Sequence, residues 1–99
     1  MEYVKINFES SDLASRHLGA AKRAAVVAAL NSSKNIHFDL TDVETISDSF
    51  ADELFGVLSQ DLGVENFYER TKVINSNDYC LHAIARAILR RSKGMNRAA

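Results

Sequence analysis

With 99 residues, 46% of them hydrophobic and 25% charged, the chain has enough material for one small globular domain and not for two. A formal net charge of −1 weighs against a general nucleic-acid binder, which needs concentrated Lys and Arg to neutralise phosphates. A single cysteine excludes an intramolecular disulfide and suits a reducing cytoplasm.

No stretch reaches the roughly 20 apolar residues of a bilayer-spanning helix. The opening MEYVKINF is too short and too polar for a secretory leader. In chain order, YVKINF alternates, with Tyr3, Lys5 and Asn7 on one side and Val4, Ile6 and Phe8 on the other. That is the period of a strand with one buried face. ESSD follows, so Ser10 or Ser11 is the expected N-cap of an alanine-rich helix over residues 13–30. Ala14, Leu18, Ala21, Ala25 and Ala28 form its expected inner side, and Arg16, Lys22 and Arg23 its outer side. Asn31, Ser32 and Ser33 end it.

Ile36, Phe38 and Leu40 face one way in a second strand, with His37 and Asp39 between them. Phe50, Leu54, Leu58 and Leu62 then recur every four residues, joined by Ala51 and Phe55, which predicts a helix stopped by Gly63. A connecting segment leads to a third strand, TKVIN. Asn77 caps a last helix whose expected inner face is Leu81, Ile84, Ala85 and Ile88. Arg90, Arg91 and Lys93 suit its negative end, and Gly94 is its expected stop. The order β-α-β-α-β-α predicts a single small α/β domain over residues 1–94, a layered fold with a parallel or mixed sheet packed by helices, and a flexible tail over residues 95–99. The pattern leaves the direction of the first strand open.

The chemistry-bearing residues narrow the function classes. His17, His37 and His82 are widely separated, and Cys80 with His82 makes only a C-x-H pair, so no metal or other cofactor is expected. Cys80, near a helix start, is either a thiol of lowered pKa or an inert buried one, and the second reading is preferred. Neither a G-x-S-x-G elbow nor a phosphate-cradling glycine loop is present, which weighs against nucleophilic catalysis. Asp39, Asp42, Glu44, Asp48, Asp52 and Glu53 offer an acid–base pair or a magnesium site in principle, but helix-start electrostatics and solubility account for most of them. The cluster Arg86, Arg90, Arg91, Lys93 and Arg97 has no interleaved aromatic for stacking on bases. Ser49 and Asp52 fit the S-x-x-D form of a capping box, which makes Ser49 the expected N-cap. The same helix start also suits a serine for reversible phosphorylation.

Asp39-Leu40-Thr41, Val43, Ile46 and the quartet Ser47-Asp48-Ser49-Phe50 resemble the strand end, Val, apolar residue and Asp-Ser-Ser-Gly of STAS domains in bacterial anti-sigma-factor antagonists. Residues 46–56, of the form I-S-x-S-F-A-D-E-L-F-G, are more similar still to the STAS-like family of small bacterial proteins, as is S-R-x-L-G over residues 15–19. This resemblance implies a non-enzymatic, cytoplasmic regulatory module that binds a protein partner, a histidine-kinase-type ATPase acting as a serine kinase. It implies contact through the loop and helix 46–56, with Thr41, Asp42, Ser47, Asp48, Ser49, Asp52 and Glu53 as partner-binding residues. Ser49 matches the serine that such a kinase phosphorylates, and its phosphate blocks the contact. Two features depart from the antagonist pattern. Phe50 replaces Gly, and Asp48, Asp52 and Glu53 surround Ser49 with charge that opposes a phosphate. The alternatives are a constitutive structural module or homodimer joined by a sheet edge or the last helix, and a small enzyme or metal site using Asp39 and Asp48.

Overall fold

The structure is a computed structural model that describes residues 2–32 and 34–98, with side chains through Lys93. Ser33, Ala99 and the side chain of Arg97 lie outside the described residues. In chain order the elements are β1 (Tyr3–Ile6), β2 (Asp12–Leu13), α1 (Arg16–Asn31), β3 (Asn35–Asp39) and β4 (Thr45–Ile46). A continuous helix follows in three parts, α2 (Asp48–Ala51), a π-helical turn (Asp52–Gly56) and α3 (Val57–Leu62). Then come α4 (Val64–Arg70), β5 (Thr71–Ile74) and α5 (Asp78–Ala98).

The three longer strands pair in the order β1-β3-β5, all parallel, which fixes the direction of the first. Ile36 stands opposite Val4 and Thr71, and Phe38 opposite Ile6 and Val73. Alternation therefore gathers the apolar side chains on one face, where Ile36 and Phe38 are fully buried. The other face carries Tyr3, Lys5, His37 and Lys72, with the Tyr3 ring stacked on His37 at 3.8 Å. The expected stripe of the central helix is in the core: Phe50, Ala51, Leu54, Phe55 and Leu58 are all buried, and Leu62 is partly buried against them. Gly63, at φ 84°, stops it, in the region that glycine enters without a steric penalty.

Four expectations change. First, residues 12 and 13 are not helical; they form β2 and pair in parallel with β4, Leu13 against Ile46. The Ser11 carbonyl accepts the N–H groups of Glu44 and Thr45, and Thr45 Oγ1 donates to Asp12 at 2.6 Å. The helix start is thereby delayed, and its N-cap is Ser15, whose Oγ accepts the Leu18 N–H, rather than Ser10 or Ser11.

Second, α1 presents the opposite side to the core. Gly19, Val26 and Leu30 are buried, whereas Ala14, Leu18, Ala21, Ala25 and Ala28 are exposed. Alanine gains little from burial, so other contacts set the rotation. Lys22 reaches Glu9, and Arg16 and Arg23 reach Glu53. A Cβ on Gly19 would stand 3.0 Å from the Phe50 carbonyl oxygen, so any other residue would need the Phe50 backbone to give by a few tenths of an ångström.

Third, residues 64–70 form α4 instead of a bare connection, anchored by buried Phe67 and by Arg70, which donates to the carbonyls of Leu30 and Lys34. Fourth, α5 runs through Gly94 to Ala98, because one glycine in a helix costs only about 1 kcal/mol relative to alanine. Its inner face is Cys80, Ala83, Ile84, Ala87 and Ile88, with Leu81 and Ala85 turned out. Asn77 caps α5 as expected, accepting the Cys80 N–H at 2.8 Å.

Candidate functional site

The turn leading into α2 is held from below by the segment before α1. The Ser47 N–H donates to the Leu13 carbonyl at 2.8 Å, and its hydroxyl donates to the Ala14 carbonyl at 2.7 Å. The same oxygen accepts the Phe50 N–H at 3.0 Å, which makes Ser47 the N-cap of α2. The expected assignment of that cap to Ser49 is therefore corrected. Ser49 lies inside α2, exposed, and its hydroxyl makes no hydrogen bond among the described residues.

This division of labour has a measurable consequence. Ser47→Ala is expected to lower stability by about 1–2 kcal/mol, the usual cost of a lost cap. Ser49→Ala is expected to stay within about 0.5 kcal/mol of wild type. Urea unfolding of the two variants checks both values.

Asp52, the expected partner in the capping box, turns instead to arginines. Arg91 grips it with two parallel bonds, Nε to Oδ1 at 2.8 Å and Nη2 to Oδ2 at 2.7 Å, and Arg16 adds a contact at 3.1 Å. The Arg91 hydrogen bonds, with help from Arg16, hold the Asp52 carboxyl at about 2. Bidentate guanidinium–carboxylate pairs are among the stronger polar contacts available to a protein. Glu53 is bonded by Arg23 at 2.6 Å and by Arg16 at 2.8 Å, which lowers its pKa in the same sense. Asp48 faces Arg86 at 3.3 Å. A Cβ on Gly56 would come within 2.8 Å of the Asp52 carboxylate and 3.2 Å of the Ala87 carbonyl. That glycine lets α5 close onto the π turn and deliver Arg91.

Ser49 shares an open pocket of about 460 Å³ with Arg16, Asp48, Asp52, Arg90 and Arg91. Three guanidinium groups (Arg16, Arg90 and Arg91) and two carboxylates (Asp48 and Asp52) line it, an excess of one positive charge, and Arg23 and Arg86 pair with Glu53 and Asp48 at its edge. The carboxylates expected around Ser49 are present, but each is paired with an arginine. That pairing was legible only in part, because the arginines come from α1 and α5. The signal was the pairing of a basic motif, S-R-x-L-G, with an acidic one, A-D-E-L.

The other candidate residues are placed elsewhere. Asp39 Oδ1 accepts from the Thr41 hydroxyl at 2.6 Å, the Thr41 N–H at 3.0 Å and Asn75 Nδ2 at 3.0 Å, and Lys5 stands 3.7 Å from Oδ2. The Thr41 and Asn75 hydrogen bonds hold its carboxyl at about 2. This bonding fastens the turn after β3, where Asp42 takes a left-handed backbone at φ 65°. Thr41 and Asp42 are exposed there, outside the pocket of Ser49. Asp39 is occupied in that turn while Asp48 faces Arg86, so the structure gives these two carboxylates no common site. Cys80 is fully buried, and burial pushes its thiol pKa up, away from an activated nucleophile. Among the described residues, no three His, Cys, Asp or Glu side chains gather as metal ligands, and no helix is long and apolar enough to cross a membrane.

A family model described as a STAS-like domain of unknown function (DUF4325) matches residues 23–80, more than half of the chain. The match takes in β3, the turn, Ser49 and the central helix, and leaves Arg16, Arg90 and Arg91 outside it. No curated protein and no solved structure matches the chain. On the strength of that match, the chain belongs to the STAS-like domain family.

Proposed function

We propose that the protein is a non-enzymatic regulatory module that docks a histidine-kinase-type ATPase through the surface of residues 46–56, with Ser49 as its reversible phosphoacceptor. One observation carries this reading: Ser49 is the motif serine without a structural task. Ile46, Phe50, Ala51, Leu54 and Phe55 fill the core. Ser47 caps, Asp52 and Glu53 hold arginines, and Gly56 makes room for α5. Only Asp48 and Ser49 remain turned to solvent. An exposed hydroxyl on a rigid scaffold, with no bond to give up, is accessible to a partner.

In the step proposed, Ser49 Oγ attacks the γ-phosphorus of magnesium-bound ATP held by the kinase. The bond from that phosphorus to the bridging oxygen breaks, ADP leaves, and the hydroxyl proton passes to a base of the kinase. The product carries about −1.5 to −2 added charges at the centre of the docking surface, where desolvating them opposes rebinding. Use of ATP and of a serine kinase places the module in the cytoplasm in this reading.

The test compares the affinity of the histidine-kinase-type ATPase from the same cell for wild type, Ser49→Ala and Ser49→Asp. Alanine is expected to retain binding, and aspartate to weaken it roughly tenfold or more, as a misplaced charge at an interface does. Equal binding by Ser49→Asp and wild type removes the switch.

A further inference from the structure

The corner around Ser49 holds more positive charge than its own carboxylates neutralise, and the surplus has an address. Arg91 is fully engaged, by Asp52 through Nε and Nη2 and by Gln60 through Nη1 at 3.1 Å. Arg16 uses a single nitrogen, Nη1, for both Asp52 and Glu53, which leaves the rest of its fork unused. Arg90 lines the Ser49 pocket and makes no hydrogen bond or ion pair among the described residues. A guanidinium with no internal partner, beside a hydroxyl with none, is the geometry of a receptor waiting for an anion. The planar fork of arginine matches phosphate oxygens better than a lysine ammonium does.

Building on the reading of Ser49 as phosphoacceptor, we infer that Arg90, assisted by the unused face of Arg16, is an internal receptor for the phosphate monoester on Ser49. The groups lining the pocket carry one positive charge in excess, which offsets part of the charge of about −1.5 to −2 that a phosphate brings at neutral pH. Capture ties α2 to α5 and withdraws the free guanidinium of Arg90 from the surface. The modification then acts in two ways, by adding charge to the docking face and by removing a cation from it. The carboxylates do not repel the ester in this arrangement, because Arg91, Arg23 and Arg86 already hold them.

The experiment installs phosphoserine at position 49 during synthesis, so that it does not depend on any kinase. Phosphorus NMR then follows the second ionisation of the ester in the folded protein and in the same protein unfolded in urea. Folding is expected to lower that pKa by about one unit, the usual effect of an adjacent opposite charge. Arg90→Gln is expected to abolish most of the shift and Arg90→Lys to keep part of it. Lys93→Gln, a basic residue of α5 outside the Ser49 pocket, is expected to change nothing. Arg90 is exposed and makes no bond among the described residues, so its variants are expected to retain the fold, which circular dichroism verifies. An identical titration in folded and unfolded protein, or a shift indifferent to Arg90→Gln, overturns the receptor. Either result leaves the kinase-binding comparison standing, just as a failure of that comparison leaves this titration intact.

Discussion

Phe55→Ala is expected to remove about 3–5 kcal/mol of stability, the range for truncating a fully buried phenylalanine. Domains of this size hold only about 5–15 kcal/mol in total, so the variant loses a large share of its margin. Phe55 has no exposed surface and meets the Phe38 ring edge to face, 4.8 Å between centroids at 68°. It lies in the π turn against which both α1 and α5 pack. The cavity left by its removal therefore sits where helix layer and sheet join. Phe55→Leu, which keeps much of the volume, is expected to lose about half as much or less. Urea unfolding of the two variants at neutral pH distinguishes a packing role from a merely hydrophobic one.

The second large effect is acid sensitivity through Asp52. Its carboxyl titrates at about 2 in the folded protein against an ordinary value of 3.8, so the folded state favours the charged form. The resulting stabilisation is fully present above pH 4 and is lost as the pH falls through about 2. With the side chain only 13% exposed, the contribution is about 2 kcal/mol. Asp52→Asn is expected to destabilise the protein by about that amount at pH 7 and to lose correspondingly less between pH 4 and pH 2. Asp39, also held at about 2, titrates in the same window, so the variant keeps a residual acid transition. Urea midpoints at pH 7, 4 and 2.5 for wild type and Asp52→Asn measure both halves of this expectation. An unchanged acid response would show that Arg91 and Asp52 contribute nothing through their pairing.

The contrast between these residues and α1 shows what a linear sequence discloses. Phe50, Leu54 and Leu58 announce their burial because large apolar side chains at helical spacing have one physical outcome. Ala14, Ala21 and Ala25 announce nothing, since an alanine face is nearly as content in water as in a core. The rotation of α1 was set by Arg16, Arg23 and the close approach at Gly19, all of which depend on partners in the central helix. The short pair β2–β4 was equally hidden, two residues per strand being too few for a period. The segment of α4 offers a single buried residue, Phe67, and so no periodic pattern.

For the site, the sequence could not divide the roles of its two neighbouring serines. Two serines two positions apart both satisfy the chemistry of a cap, and only the contacts of Ser47 with Leu13, Ala14 and Phe50 decide between them. Charge was misjudged because local counting sees Asp48, Asp52 and Glu53 but not Arg16 and Arg91, which reach Asp52 from 36 and 39 positions away. Capping falls to Ser47, and the carboxylates near Ser49 are paired with arginines. The departure at Phe50 has its own account: the ring is buried against Phe8, so the position that is Gly in the antagonists serves here as a core anchor.

The most direct measurement is site mapping of phosphate after the protein is incubated with the histidine-kinase-type ATPase proposed as its partner, ATP and magnesium. Tandem mass spectrometry of the peptide spanning residues 45–58 locates the modification. The account predicts a single phosphate on Ser49, none on Ser47, and no incorporation in Ser49→Ala. Phosphate on Ser47, or an unmodified peptide after prolonged incubation with an active kinase, would contradict it.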